Sequence, residues 1–152
     1  FNGILSMILV GVYNASGNSL PEYSKSGDAG KDVRASEGFT LHPGDTRIIN
    51  TGLYVAIPEG YEIQVRPRSG LSVNTKLRVA NSPGTIDSNF RGELCVIMDN
   101  IGGDSIIIRK GDRIGQLVLA VVPIWDWVVA DSVETLGNTN RGANGFGSTG
   151  IE

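Results

Sequence analysis

With 152 residues, 40% hydrophobic and 19% charged, the chain has the composition of a folded domain with a real core, which excludes a disordered polymer. A net charge of −3 and a pI near 5.1 exclude the broad basic face that duplex nucleic acid requires, but not a small pocket of cations for a phosphorylated ligand. The single cysteine, Cys95, excludes an intrachain disulfide and points to a reducing, cytoplasmic setting.

The chain begins with an apolar stretch that lacks a basic leading region and is too short to cross a bilayer, so no membrane partner is expected. Residues 1–7 read as an extension or added remnant, with Met7 as the native start, and residues 8–13 as a first strand. Asn14-Ala15-Ser16 fits the glycosylation pattern, which means little without a secretion signal. Gly27-Asp28-Ala29-Gly30-Lys31-Asp32 resembles a phosphate-binding loop, but its spacing is too short and Asp32 stands where Ser or Thr is needed. Asp32 is either a turn aspartate or a holder of waters around hydrated Mg2+. His42, the one histidine, sits beside the turn Pro43-Gly44-Asp45 with no context for a Ser-His-Asp triad.

Residues 47–50, 53–57 and 62–66 alternate with period two, as half-buried strands do. A short helix is predicted over 69–75 with Ser69 as its cap. Arg68-Ser69-Gly70 at its start is either a capped helix with a surface arginine or a phosphate grip, with free N–H groups and a planar fork of donors. The stretch 81–93 reads as a tight turn between two strands: Pro83-Gly84 sets the turn and Asn89 adds a second reversal. It gathers the Asn81 amide, backbone groups, the Phe90 ring and one acid, Asp87. Those parts suit reading a planar base edge and activating a water; the alternative is an ordinary hairpin with a solvated Asp.

Residues 94–98, which include Cys95, then 105–108 and 113–122, are strand-like, with turns at Gly102-Gly103 and Lys110-Gly111-Asp112. Gln116, among Ile114, Leu117 and Leu119, either satisfies a backbone group or points into a site. One further helical turn is predicted within 131–136. From 137 the chain is polar and glycine-rich, the composition of a flexible arm. In it Arg141, Ser148 and Thr149 are phosphate partners and Phe146 is a ring on which a base can stack. Gly145 to Gly150 matches G-x-G-x-x-G without the strand and helix that a dinucleotide fingerprint needs. Twenty-one scattered glycines, short strands and no sustained 3.6-residue period indicate an all-β sandwich, jelly roll or barrel.

Five segments in order carry a family resemblance. They are Gly27-Asp-Ala-Gly-Lys-Asp-Val, Pro67-Arg-Ser-Gly-Leu-Ser, the stretch from Asn81 to Glu93, Lys110-Gly-Asp-Arg-Ile-Gly-Gln-Leu, and the arm from Arg141 to Gly150. Together they resemble the five motifs of the trimeric dUTPases, of bacterial or phage type, from about residue 8 to the end. The resemblance implies a jelly-roll β-barrel over 8–136 that assembles as a homotrimer. The arm, 137–152, would close as a lid over a site shared between subunits, in the cytoplasm or, for a virus, the host's. It implies dUTP as substrate, dUMP and pyrophosphate as products, and Mg2+ as cofactor, with no nucleic-acid partner. By the same resemblance Asp87 is the general base. Asn81, Thr85 and Ile86 read uracil, and the Phe90 ring packs on the deoxyribose. Arg68, Ser69, Gly70 and Gln116 hold phosphates, and Asp32 holds the water shell of the metal. Arg141, Phe146, Gly147, Ser148 and Thr149 form the lid.

Two positions depart from the family pattern. Phe90 replaces a common Tyr but keeps the ring, and Asn144 replaces a common Gly where a left-handed conformation is expected. Two rival functions share the resemblance: a dCTP deaminase of the same fold, which needs a glutamate where this chain has Asp87, and a trimeric regulatory module that senses nucleotide.

Overall fold

The computed structural model describes residues 7–150; the expected extension, apart from Met7, and the last two residues of the arm lie outside them. Ten strands are numbered in chain order. One sheet places β1 (Gly11–Asn14), β4 (Thr46–Ala56), β8 (Glu93–Asn100) and β6 (Leu77–Val79) side by side. The other runs β2 (Lys31–Arg34), β10 (Arg113–Val121), β5 (Tyr61–Arg66) and β7 (Gly84–Ile86), while β3 (Phe39–Leu41) and β9 (Ile106–Ile108) form a ribbon. All the pairings are antiparallel, and one short helix, α1 (Ser69–Asn74), links β5 to β6. This is the all-β jelly roll that the sequence predicts.

Alternation builds the core. Along β8 the side chains of Leu94, Val96, Met98 and Asn100 are buried and their neighbours are half-exposed. They meet Val33, Val65 and Ile114 of the facing sheet in one apolar cluster. Burying each large apolar side chain favours folding by about 1.5–3 kcal/mol. Asn100 is the polar member. Its side-chain nitrogen donates to the Leu41 carbonyl (3.0 Å) and the Asp104 carbonyl (2.8 Å), so the buried amide ties the end of β8 to β3 and the β9 loop.

The two expected strands at 47–50 and 53–57 are one strand, β4, interrupted by a bulge between Asn50 and Leu53. Gly52 lies there at φ 71°, with its Cα so close to Ser16 that a Cβ would come within 2.7 Å of the Ser16 backbone. Glu93 completes the bulge, accepting from the Asn50 amide and from Gly52 N–H at 3.1 Å.

The reading of 81–93 as a hairpin is corrected. β7 pairs with β5, whereas β8 pairs with β4 and β6, so the segment crosses from one sheet to the other. Gly84 opens a strand without a positive φ, so Pro83-Gly84 is not the expected turn. The second reversal is present: Phe90 N–H donates to the Asp87 carbonyl at 3.1 Å around Ser88 and Asn89. Ser69 does not cap α1 either; Arg68 occupies that position, and no side chain caps the helix. The first strand starts at Gly11, inside the expected 8–13, and a 3-10 turn at Glu134–Leu136 falls within 131–136.

Candidate active site

Three of the five motifs converge at one end of the second sheet. Gln116 of β10 lies opposite Asp32 of β2 on one side and Arg66 of β5 on the other. Its amide donates to the Pro67 carbonyl at 3.0 Å, where β5 turns into α1. Gly30 lies under the same side chain, and a Cβ there would come within 2.1 Å of the Gln116 amide oxygen. Asp32 Oδ1 lies 3.2 Å from Arg68 Nε in an ion pair. That contact leaves the four terminal N–H groups of Arg68 for other acceptors. Ser69 and Gly70 stand exposed beside it in the first turn of α1. With six residues, α1 has too little aligned backbone for a strong dipole, so the guanidinium carries most of the attraction for an anion.

The third motif forms a separate corner. β7 is an edge strand, paired only with β5 through Gly84↔Val65, Thr85↔Gln64 and Ile86↔Ile63. Its outer side therefore presents unpaired backbone groups. Gly84 is buried, and a Cβ there would lie 3.2 Å from the Val65 Cβ, which explains a glycine at this position. Asp87 follows at the exposed end of the strand, and Asn81 is exposed ahead of it. The Phe90 ring, 42% exposed, lies over Gly92, where a Cβ would come within 2.5 Å of it. Arg91, a motif residue to which the sequence assigned no role, staples the turn by donating to the carbonyls of Ser88 (2.7 Å) and Phe90 (2.9 Å).

The two corners are not adjacent within one chain. The β5–β7 register puts Asp87 level with Glu62, six residues from Arg68, or roughly 20 Å at 3.3 Å per residue. The last motif is separate from both. Beyond the bond from Val122 N–H to the Gly60 carbonyl, every hydrogen bond of residues 123–150 among the described residues is local. Arg141 donates to the Asn144 carbonyl at 2.8 Å, and Ser148 and Thr149 are exposed. Gly147 has φ 81° and Phe146 φ 32°, and the Phe146 ring is fully exposed. Asn144 does not take the left-handed conformation expected of it. The strandless, exposed stretch reaches back from 137 to 122 and bares Ile124, Trp125, Trp127, Val128 and Val129. An apolar groove of about 660 Å³, lined by Leu20, Tyr23, Val55, Leu117 and Leu119 among others, runs beside β1.

Among the described residues no group of three or more His, Cys, Asp or Glu side chains is placed to hold a metal. Both oxygens of Asp32 face guanidinium groups, and Glu22 and Asp28 line the pocket beside it. Such a donor set fits an ion that arrives on a polyphosphate and keeps much of its water shell, as Mg2+ does.

A family model described as dUTPase matches residues 17–150. The chain belongs to the dUTPase family. Proteins named deoxyuridine 5'-triphosphate nucleotidohydrolase resemble it over most of its length. That of Caulobacter vibrioides is 48% identical over 136 residues, covering 87% of this chain and 86% of its own. That of Desulfotalea psychrophila is 51% identical over 135 residues, covering 88% of each. Among solved structures, the dUTPase of Staphylococcus bacteriophage 80alpha with dUPNHPP superposes with a TM-score of 0.84 at 28% identity, over 94% of this chain and 99% of that one. A mutant dUTPase from phage phi11 of S. aureus, described for its coordination of a structural Mg(II) ion, gives a TM-score of 0.74 at 25% identity, over 83% and 99%.

Proposed function

We propose that the chain hydrolyses dUTP to dUMP and pyrophosphate at sites completed between copies in a homotrimer, supplying dUMP and keeping uracil out of DNA. The observation that carries this reading is Asp87, whose carboxylate has no partner among the described residues, at the end of an open-edged strand and three residues before an aromatic ring. The base lies along the outer edge of β7 like an added strand, so that backbone groups of Thr85 and Ile86 and the Asn81 amide read uracil. Thymine is refused by its methyl group. Cytosine is refused because its donors and acceptors are exchanged, which leaves buried groups unpaired. The Phe90 ring crowds out a 2′-hydroxyl. Asp87 takes a proton from the water that attacks the α-phosphate, a role worth roughly 10²–10⁴ in rate. Arg68, Ser69, Gly70 and Gln116 bind the outer phosphates. When bound, Mg2+ neutralises charge on the phosphate oxygens, with Asp32 facing its water shell.

The roughly 20 Å between Asp87 and Arg68 supports assembly, because the phosphates of one nucleotide are only a few bonds apart. A second copy brings its cationic corner to the first copy's Asp87. The bare apolar segment after Val121 and the groove beside β1 supply surfaces for such contacts. Arg141, Ser148 and Thr149 then close on the phosphates, and the exposed Phe146 stacks on the base.

One assay tests the reading. The chain is incubated with Mg2+ and dUTP, dCTP or UTP, and pyrophosphate and ammonia are measured. Pyrophosphate from dUTP alone is expected; ammonia from dCTP supports a deaminase. The phage relative's description states that phage dUTPases control transfer of virulence genes. Nucleotide binding without turnover would favour such a regulatory role here.

A further inference from the structure

Strand parity separates Arg113 from Gln116. Residues three apart on a regular strand point to opposite faces, and Gln116 shares the face of its cross-strand partner Asp32. A regular β10 would turn Arg113 into the core. The ladder with β2 instead slips between Arg113 and Gly115, and Arg113 stands opposite Arg34. Arg34 is two residues from Asp32 and on the same face. The extra residue is Ile114, which is buried. The bulge thus re-aims Arg113 outward, a known use of such irregularities. Its Nη1 lies 3.5 Å from Asp32 Oδ2, while Arg68 Nε holds Oδ1 at 3.2 Å. Arg34 is engaged elsewhere, donating to the Gly111 carbonyl at 2.7 Å.

We propose that Arg113 is a positioning residue for the triphosphate: it fixes the second oxygen of Asp32, and Asp32 in turn fixes the angle at which Arg68 meets the outer phosphates. This rests on the dUTP reading above. The charge balance shows why a second guanidinium is needed. Arg68 and Asp32 alone are neutral together, and the free carboxylate oxygen would repel a phosphate. Adding Arg113 makes the trio net positive at the point where the most negative part of the substrate arrives. Stability is a poor explanation for the pair, because the Arg113 side chain is 49% exposed and exposed ion pairs contribute little.

The test measures KM and kcat for dUTP and the Kd for dUMP, which lacks the outer phosphates. Arg113→Gln is expected to raise KM for dUTP about tenfold, or about 1.4 kcal/mol, with dUMP binding unchanged. Arg113→Lys keeps the charge and is expected to recover part of the loss. An unchanged KM, or equal losses for dUTP and dUMP, overturns the proposal. If Arg113→Gln does not fold, Arg113→Lys carries the test: a threefold rise in KM supports the role, and a wild-type value overturns it. A wild-type chain that releases no pyrophosphate defeats the parent reading, whereas normal turnover with an indifferent Arg113 defeats only this one.

Discussion

Asp32 and Asp87 lie at opposite edges of one sheet and are held in opposite ways. Asp32 is on the edge strand β2, half-buried, with each oxygen against a different arginine. Asp87 lies one residue past an edge strand, exposed, with only its backbone carbonyl engaged. The difference separates two tasks of a carboxylate. An acid that positions cations gains from being surrounded by them, whereas one that must accept a proton from water needs open oxygens. The largest expected effect follows. Asp87→Asn should lower kcat by roughly 10²–10⁴ while leaving the thermal midpoint and dUMP affinity near wild type. Turnover at the wild-type rate in that variant would remove Asp87 from catalysis.

The second contrast is between the ordered body and the arm. Because residues 141–150 make only local hydrogen bonds, they have nothing to contribute to the fold of their own chain. Deleting everything after Asn140 should leave the melting temperature unchanged and reduce kcat/KM by roughly a hundredfold, the scale of loss when substrate positioning fails. Equal kcat/KM in the shortened chain would break the lid assignment. A large fall in melting temperature would mean that the arm is structural.

A smaller effect should mark the Asp32 corner. Gly30 has no positive φ, so alanine suits its backbone, but the new Cβ would displace the Gln116 amide from beneath. Losing the bond to Pro67 is worth about 0.5–1.5 kcal/mol, or roughly a two- to tenfold rise in KM. Gly30→Ala should therefore raise KM for dUTP by that factor with kcat unchanged, as steady-state kinetics would show. An unaltered KM would mean that Gln116 is not needed where it now lies.

The sequence reveals the long elements and, β1 and β9 apart, hides the short ones for a physical reason. β5, β8 and β10 run six to nine residues, long enough for period-two alternation to stand out, and β4 was visible except for its bulge. β2, β3, β6 and β7 have three or four residues each, too few for a period to register. Their positions depend on partners far along the chain. For the same reason 81–93 reads as a hairpin: nothing local says that β7 bonds β5 rather than β8. The site residues were recognisable by order and type, and Asp32, Arg68 and Gln116 do come together. Arg113 was not recognisable, because its direction depends on a one-residue slip against β2. Nor was Arg91, whose contacts are with backbone carbonyls that any residue could offer.

The smallest effect concerns a third acidic group, Cys95, remote from both aspartates in the other sheet. Its thiol is pushed up from its ordinary value of 9.0 to about 11, chiefly by burial and secondarily by the Glu93 carboxylate at 3.7 Å, which also accepts its weak hydrogen bond. The nucleophilic form is therefore scarce at neutral pH. Iodoacetamide at pH 8 should leave the native chain unmodified while labelling it in denaturant, as mass spectrometry would reveal; rapid native labelling would contradict this environment. The sign of the linkage follows from the same shift. The folded value lies above the unfolded one, so the thiol's contribution to stability is complete below pH 9 and is lost as pH rises towards about 11. Cys95→Ser should thus flatten the fall in denaturation midpoint between pH 9 and 11, with kcat/KM unchanged at pH 7.5. This group is tuned by its burial and by Glu93 and not by a ligand, so its titration should not respond to added dUMP.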